Sequence, residues 1–83
     1  MANAKAPSTK GFGDDRYRAL ISELSAERKR QKLSQEAFAD RLGRHQQFVS
    51  RYEIGERRLD VVEFVDVARA LGLDPAMMLV SIE

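Results

Sequence analysis

Residues 33–55 read LSQEAFADRLGRHQQFVSRYEIG and decide the fold, because two short helical patterns flank a single glycine. Ser34 is a good N-cap for a helix over 35–42, and Gly43 can supply the positive φ that ends that helix. After two or three residues, a second helix is expected over 46–54. Helices this short, joined by so tight a turn, cannot pack side by side and are expected to cross steeply, as in a helix-turn-helix.

Three further helical patterns surround this segment. Upstream, an apolar stripe with helical spacing predicts a helix over 15–31. Downstream, Asp60 and Glu63 have the spacing of a capping box at the start of a helix that ends at Leu71, and an Asp-Pro pair at 74–75 begins a last helix. The residues expected on the inner face of the fourth helix are Val61, Phe64, Val65, Ala68 and Leu71.

The 83-residue length fits one domain, and no strand pattern is present in the sequence. The sequence therefore predicts an all-α fold, a compact five-helix bundle over residues 14–83. Residues 1–13 are small, polar and glycine-containing, and are predicted to form a flexible N-terminal tail.

The composition excludes several classes of function. The absence of cysteine excludes disulfides and thiolate metal sites, and the single histidine, His45, excludes a multi-histidine metal site. No phosphate-binding glycine loop or nucleophile–base pair is present, and so neither enzymatic activity nor a cofactor is expected. No apolar run approaches the ~20 residues needed to span a bilayer, and the N-terminus lacks the apolar region of a secretory signal. A cytoplasmic protein without a membrane partner is expected.

Charge is distributed unevenly along the chain, although the net charge is only +1. Residues 1–59 carry 13 Lys/Arg and 8 Asp/Glu, whereas residues 60–83 carry one Lys/Arg and five Asp/Glu. A basic front and an acidic back suit a protein that presents one side to a polyanion. A chance imbalance is the alternative interpretation.

The helix expected over 46–54 has one apolar side and one polar side. Phe48, Val49 and Tyr52 cluster on the apolar side. The polar side carries amides, a hydroxyl and an arginine without any acid: Gln46, Gln47, Ser50 and Arg51. Glutamine can pair with adenine and arginine with guanine in the major groove, and so this side is predicted to read bases. A solvated polar face is the alternative.

The segment LSQEAFADRLG at 33–43, followed by RHQQFVSRYEIG at 44–55 and by RRLD and VARALGLDP within 57–75, resembles the Cro/repressor-type, XRE-like helix-turn-helix family. The resemblance covers about residues 16–80. It implies the phage-repressor type of DNA-binding fold and double-stranded DNA as the partner.

The resemblance also implies roles for individual residues. The base-contacting positions are Gln46, Gln47, Ser50 and Arg51. The positions that contact the DNA backbone are Gln35, Arg28, Arg44, His45, Arg57 and Arg58. Arg28 and Glu53 match an arginine–glutamate pair that ties the first helix to the end of the third, with two solvated helix-end charges as the alternative.

Two residues depart from the family pattern. His45 stands where Ser or Thr commonly caps the recognition helix, and we expect a weaker or water-mediated cap there. It is expected to be either a neutral turn residue or a protonated group near a phosphate. Phe48 is larger than the usual Ser or Thr, and is expected either to pack at the edge of the core or to press on a thymine methyl group.

The C-terminal segment PAMMLVSI at 75–82 carries more apolar side chains than a short terminal helix can bury on one face. One domain that inserts one helix has limited reach, and so a homodimer on a pseudo-palindromic operator is expected, with half-sites about 10–11 bp apart. The alternative is a last core helix with frayed apolar residues. The residues expected at the dimer interface are Met77, Met78, Val80 and Ile82.

These observations predict a sequence-specific transcriptional regulator, a repressor or autoregulator, that associates with the nucleoid through DNA. An antitoxin or a restriction–modification controller fits the same outline, and an antitoxin would add a toxin as a second protein partner. A protein-interaction module on the same fold is the alternative from a different class. The acid-free polar side of the third helix argues against that module.

Overall fold

The computed structural model describes residues 14–83, and the tail predicted over 1–13 lies outside the described residues. The described chain is entirely helical apart from its turns, which confirms the all-α five-helix fold. The helices are α1 (Asp15–Arg30), α2 (Gln35–Leu42), α3 (Gln46–Ile54), α4 (Val61–Ala70) and α5 (Pro75–Val80). Both helices of the predicted helix-turn-helix have the predicted bounds.

Side chains cap four of the five helices at their N-termini. Asp14, Ser34 and Asp74 each accept a hydrogen bond from a backbone N–H in the first turn of their helix. Asp60 and Glu63 form the predicted capping box, with hydrogen bonds of 2.7 and 3.0 Å. Such caps stabilise a helix by about 1 kcal/mol each because they satisfy N–H groups that have no partner within the helix. His45, in contrast, provides no side-chain cap for α3.

The turn between α2 and α3 depends on Gly43, which adopts a φ of 71° in the left-handed region. A residue with a Cβ is strained at this φ, and glycine is not. The backbone N–H of Arg44 then donates to the carbonyl of Ala39 over 2.9 Å, which closes the end of α2. Only Arg44 and His45 then separate this glycine from the start of α3.

One hydrophobic core holds the helices together. α2 packs on α3 and α4, α1 packs on α3, and α5 packs on α4. The largest fully buried side chains of this core are Ile21, Leu24, Phe38, Val49, Tyr52 and Val67. Ala39 is also fully buried, and its small side chain lets α2 and α3 approach.

The inner face predicted for α4 is wrong at Val61, which is 76% exposed. Phe64, Ala68 and Leu71 are buried as predicted and Val65 is partly buried, whereas the buried Val67 was not predicted. Val61 is the first residue of α4 and borders an open groove that Leu20 and Ile21 of α1 also line. Helical periodicity indicates the side of a helix that faces the core, but not where the neighbouring elements end.

Candidate nucleic-acid interface

The core holds α3 from behind. Val49 and Tyr52 are fully buried, and Phe48 nearly so. Arg18 of α1 donates from Nη2 to the carbonyl of Glu53 over 3.4 Å, near the C-terminal end of α3. These contacts restrain α3 along its whole length and direct its other side toward solvent.

The solvent side of α3 carries the four predicted base-contacting residues. Gln46, Gln47 and Arg51 are exposed, and their side chains form no hydrogen bond or ion pair with any other residue in the described range. Ser50 is half-buried, and its hydroxyl donates to the carbonyl of Gln47 over 3.3 Å. The first turn of α3 contains no acid. Hydrogen-bond donors and acceptors suited to base edges therefore lie together on one exposed side of α3, and most of them are not used in contacts within the described residues.

A buried ion pair ties this surface to the rest of the domain. Arg28 donates from Nε and Nη2 to the two carboxylate oxygens of Glu53, over 2.8 and 3.0 Å. Gln35, at the first position of α2, donates from Nε2 to the same carboxylate over 2.9 Å. The hydrogen bonds to Glu53 raise the pKa of the Arg28 guanidinium above its usual value and keep it charged. Helices α1, α2 and α3 thus meet at one carboxylate.

Arg28 was expected to contact the DNA backbone, but the structure buries it. Its third nitrogen, Nη1, donates to the carbonyl of Leu33 over 2.6 Å, and so every guanidinium nitrogen already has an internal partner. The side chain is only 8% exposed and so offers little surface to a phosphate, and its contact with the DNA backbone stays a prediction. The role that the geometry gives Arg28 is to position Glu53 and Gln35.

A second charged cluster lies next to the α2–α3 turn, around Arg44. The Phe48 cluster comprises Phe48, Arg44, Arg57 and Glu63. The guanidinium carbons of Arg44 and Arg57 lie 4.3 and 4.9 Å from the centre of the Phe48 ring. Phe48 also packs edge-on against Tyr52, with ring centres 5.4 Å apart. Phe48 is 8% exposed, which fits packing at the edge of the core, and a contact with a thymine methyl group stays a prediction.

The carboxylate of Glu63 binds both arginines of the Phe48 cluster. Arg57 donates to its two oxygens over 2.9 and 2.7 Å, and Arg44 to one of them over 3.4 Å. Hydrogen bonds from Arg57, assisted by the backbone N–H of Asp60, lower the pKa of the Glu63 carboxyl to about 2. The sequence indicated the capping role of Glu63 only. An acid six residues after a loop arginine was the available signal for the ion pair.

The remaining predicted backbone-contacting residues lie around α3. Arg44 and His45 are exposed just before it, and Gln35 is half-buried at the start of α2. Arg58 is exposed in the α3–α4 loop, with its guanidinium carbon 4.7 Å from the centre of the Tyr17 ring. Its neighbour Arg57 is directed back toward Glu63. Two consecutive arginines thus differ in their availability to an external anion.

Of the four residues predicted at a dimer interface, two are at the surface of α5. Met77 is 63% exposed and Val80 is 56% exposed. Met78 is only 4% exposed because it packs in the core of its own domain, and Ile82 is partly buried against that core. The exposed Leu79 and Val61 border a groove of about 510 Å³. The predicted exposed apolar surface on α5 is therefore present, but Met78 is not part of it.

Other kinds of site find no support in residues 14–83. No group of three or more His, Cys, Asp or Glu side chains in this range could hold a metal ion. The same part of the chain has no helix with the length and apolar character needed to cross a membrane.

Comparison with known proteins agrees with this architecture. The family model described as Helix-turn-helix matches residues 24–77. The solved structure of an XRE-family like protein from Pseudomonas syringae pv. tomato str. DC3000 is 46% identical, with a TM-score of 0.75, over 81% of this chain and 82% of that one. A hypothetical transcription factor, NHTF, from Neisseria has a TM-score of 0.70 over 95% of this chain and 86% of its own. At 24% identity, it shows the fold alone.

No curated protein matches the chain. The family model nevertheless covers more than half of its residues, and the Pseudomonas protein is similar over most of both chains. We conclude that this chain belongs to the XRE family of helix-turn-helix proteins, a family of DNA-binding transcription regulators.

Proposed function

We propose that the protein binds a specific double-stranded DNA site as a homodimer and represses transcription by occupying that site. The observation that carries the proposal is the solvent side of α3, where Gln46, Gln47 and Arg51 are exposed and their side chains have no hydrogen-bond or ion-pair partner among residues 14–83. A helix of this width enters the major groove, where glutamine and arginine distinguish bases through paired hydrogen bonds.

Contacts with phosphates would set the position of α3 in the groove. Arg44 and His45 precede α3, Arg58 follows it, and Gln35 lies at the first turn of α2. The N-terminal N–H groups of a helix and cationic side chains both favour phosphate oxygens. Because these groups flank the base-reading side, they support docking in which the backbone is held on both sides of the inserted helix.

The apolar surface of α5 supports self-association. Met77, Leu79 and Val80 are exposed there, next to the exposed Val61. A two-fold dimer would cover this surface in both copies and present two recognition helices to successive turns of the major groove, about 34 Å apart. The operator is then a pseudo-palindrome. A dimer placed over a promoter would exclude the transcription machinery, which is the simplest route to repression for one such domain.

Selection of binding sites from random double-stranded DNA, at two salt concentrations, tests the proposal. We expect a two-fold symmetric motif and affinity that falls steeply with salt. The variant Gln47→Ala should change the motif, whereas Ser22→Ala, at an exposed position on α1, should leave it unchanged. Binding without any recovered motif would reject sequence-specific recognition. Absence of DNA binding altogether would favour a protein-interaction module.

A further inference from the structure

The α3–α4 loop contains two consecutive arginines that the structure treats differently. Arg57 forms a two-pronged ion pair with Glu63, and its side chain is 38% exposed. Arg58 is exposed, and it has no acidic partner among the described residues. Attraction to DNA depends on cations that can neutralise phosphates, and a cation already paired with a carboxylate contributes less. Of the two arginines in the loop, only Arg58 is therefore fully available to neutralise a phosphate.

Glu63 is well suited to retain Arg57. Its own carboxylate is anchored, because the backbone N–H of Asp60 donates to it over 3.0 Å within the capping box of α4. The Phe48 ring lies beneath the Arg57 guanidinium and adds a cation–π contact. Arg44 approaches the Oε2 oxygen of the same carboxylate at 3.4 Å, and its side chain is 42% exposed. One negative charge thus faces two arginines at the edge of the recognition helix.

We propose that Glu63 limits the sequence-independent DNA affinity of this domain by holding Arg57 away from DNA phosphates. The inference rests on the proposed DNA binding and concerns its strength. Sequence-independent binding comes almost entirely from phosphate neutralisation, and each phosphate that is neutralised contributes about 0.9 to the slope of log K against log salt. Release of Arg57 would therefore appear as a change in slope as well as in affinity.

Glu63→Gln tests this directly, because the amide oxygen can still accept the N–H of Asp60 while the negative charge is removed. Affinity for a labelled random-sequence duplex is measured at several potassium chloride concentrations. We expect the slope to steepen by about one and affinity at low salt to rise. Glu56→Gln is the matched control, since Glu56 is exposed in the same loop and has no ion pair within the described chain. Equal changes in both variants would overturn the inference.

Two double variants, each of which replaces one arginine and one glutamate by glutamine, keep the net charge constant. They remain informative if Glu63→Gln alone does not fold. Removing both partners of an ion pair avoids leaving one charge without a partner. Because Arg44 also loses its carboxylate partner, we expect Arg57→Gln/Glu63→Gln to steepen the slope clearly less than Glu63→Gln does, and an equal steepening in both would show that Arg57 is not the cation that Glu63 restrains. Arg58→Gln/Glu56→Gln should flatten the slope by about one, because Arg58 is available to phosphates. A flattened slope in the first pair would show that Arg57 contacts DNA, and would refute the proposed role of Glu63.

Retention on heparin separates a failure of this inference from a failure of the proposed function. Heparin is a polyanion, and it responds to available cations whether or not the protein reads DNA. Later elution of Glu63→Gln than of Glu56→Gln would support the release of Arg57 even for a domain that binds no duplex. Wild-type protein that binds heparin but no duplex would refute the function. Indistinguishable elution of the two variants would refute the role of Glu63.

Discussion

Arg28 and Glu53 meet across the α1–α3 boundary through hydrogen bonds of 2.8 and 3.0 Å, with side chains only 8% and 7% exposed. Gln35 joins the same carboxylate from α2. This pair fixes the orientation of α3 relative to the two helices that precede it, and its internal bonds explain why Arg28 is not a surface cation.

Glu53→Gln should destabilise the domain by about 3 kcal/mol, because it leaves the Arg28 charge buried without a counter-charge. Urea unfolding followed by circular dichroism measures the effect. Glu36→Gln, at an exposed position of α2, serves as the control and should change stability by less than about 0.5 kcal/mol. Arg28→Met/Glu53→Leu should lose less than the sum of its two single variants. A loss below about 1 kcal/mol for Glu53→Gln would show that the pair is solvated.

Stability should fall in acid as Glu63 becomes protonated. Its pKa is about 2 in the folded domain, below the ordinary value of 4.5, because Arg57 stabilises the charged form. A lowered folded pKa contributes stability that is complete above the unfolded pKa and is lost as pH falls. The free energy of unfolding should therefore decrease between about pH 5 and pH 2.

Glu27 has a similarly lowered pKa of about 2, caused by hydrogen bonds from Arg30 and Gln31, and so it contributes in the same pH range. Comparison of wild-type protein with Glu63→Gln isolates the part due to Glu63. The variant should show a shallower decline of the unfolding free energy in acid. Parallel profiles for the two proteins would mean that the Glu63–Arg57 pair is not formed in solution.

Base recognition should depend on the two glutamines at the start of α3. We expect Gln46→Ala and Gln47→Ala each to cost about 1–3 kcal/mol on the preferred operator and to relax the choice of base at one position of each half-site. Quantitative binding to a set of operators with single base changes measures this. If the order of affinities for those operators is unchanged, neither glutamine takes part in base recognition.

Neighbouring residues of α5 should respond differently to substitution. Val80→Asp places a charge on the exposed apolar surface and should shift the protein toward monomer, as measured by sedimentation velocity, with little change in the unfolding of the monomer. Met78→Ala should instead lower stability by about 2–5 kcal/mol, because Met78 is a core residue. Dissociation of the dimer by Met78→Ala alone, at unchanged stability, would contradict this assignment.

The helices of this domain were predictable because their signals are local. Ser34, Asp60 and Asp74 act on N–H groups within three residues, and Gly43 ends α2 through its own φ. The error at Val61 has a different origin. Its burial depends on whether another helix packs over the first turn of α4, and helical spacing carries no information about that packing.

The amino-acid sequence by itself determined the all-α fold, the helix-turn-helix and the polar side of α3, because capping and amphipathic spacing act over a few residues. Tertiary structure decided which arginines are exposed and which are paired with an acid. Arg28 is bound by Glu53, 25 residues away, and Arg57 by Glu63 across a loop, whereas Arg58 stays at the surface. The partner of a long charged side chain depends on distances in three dimensions, which only the packing of the helices establishes.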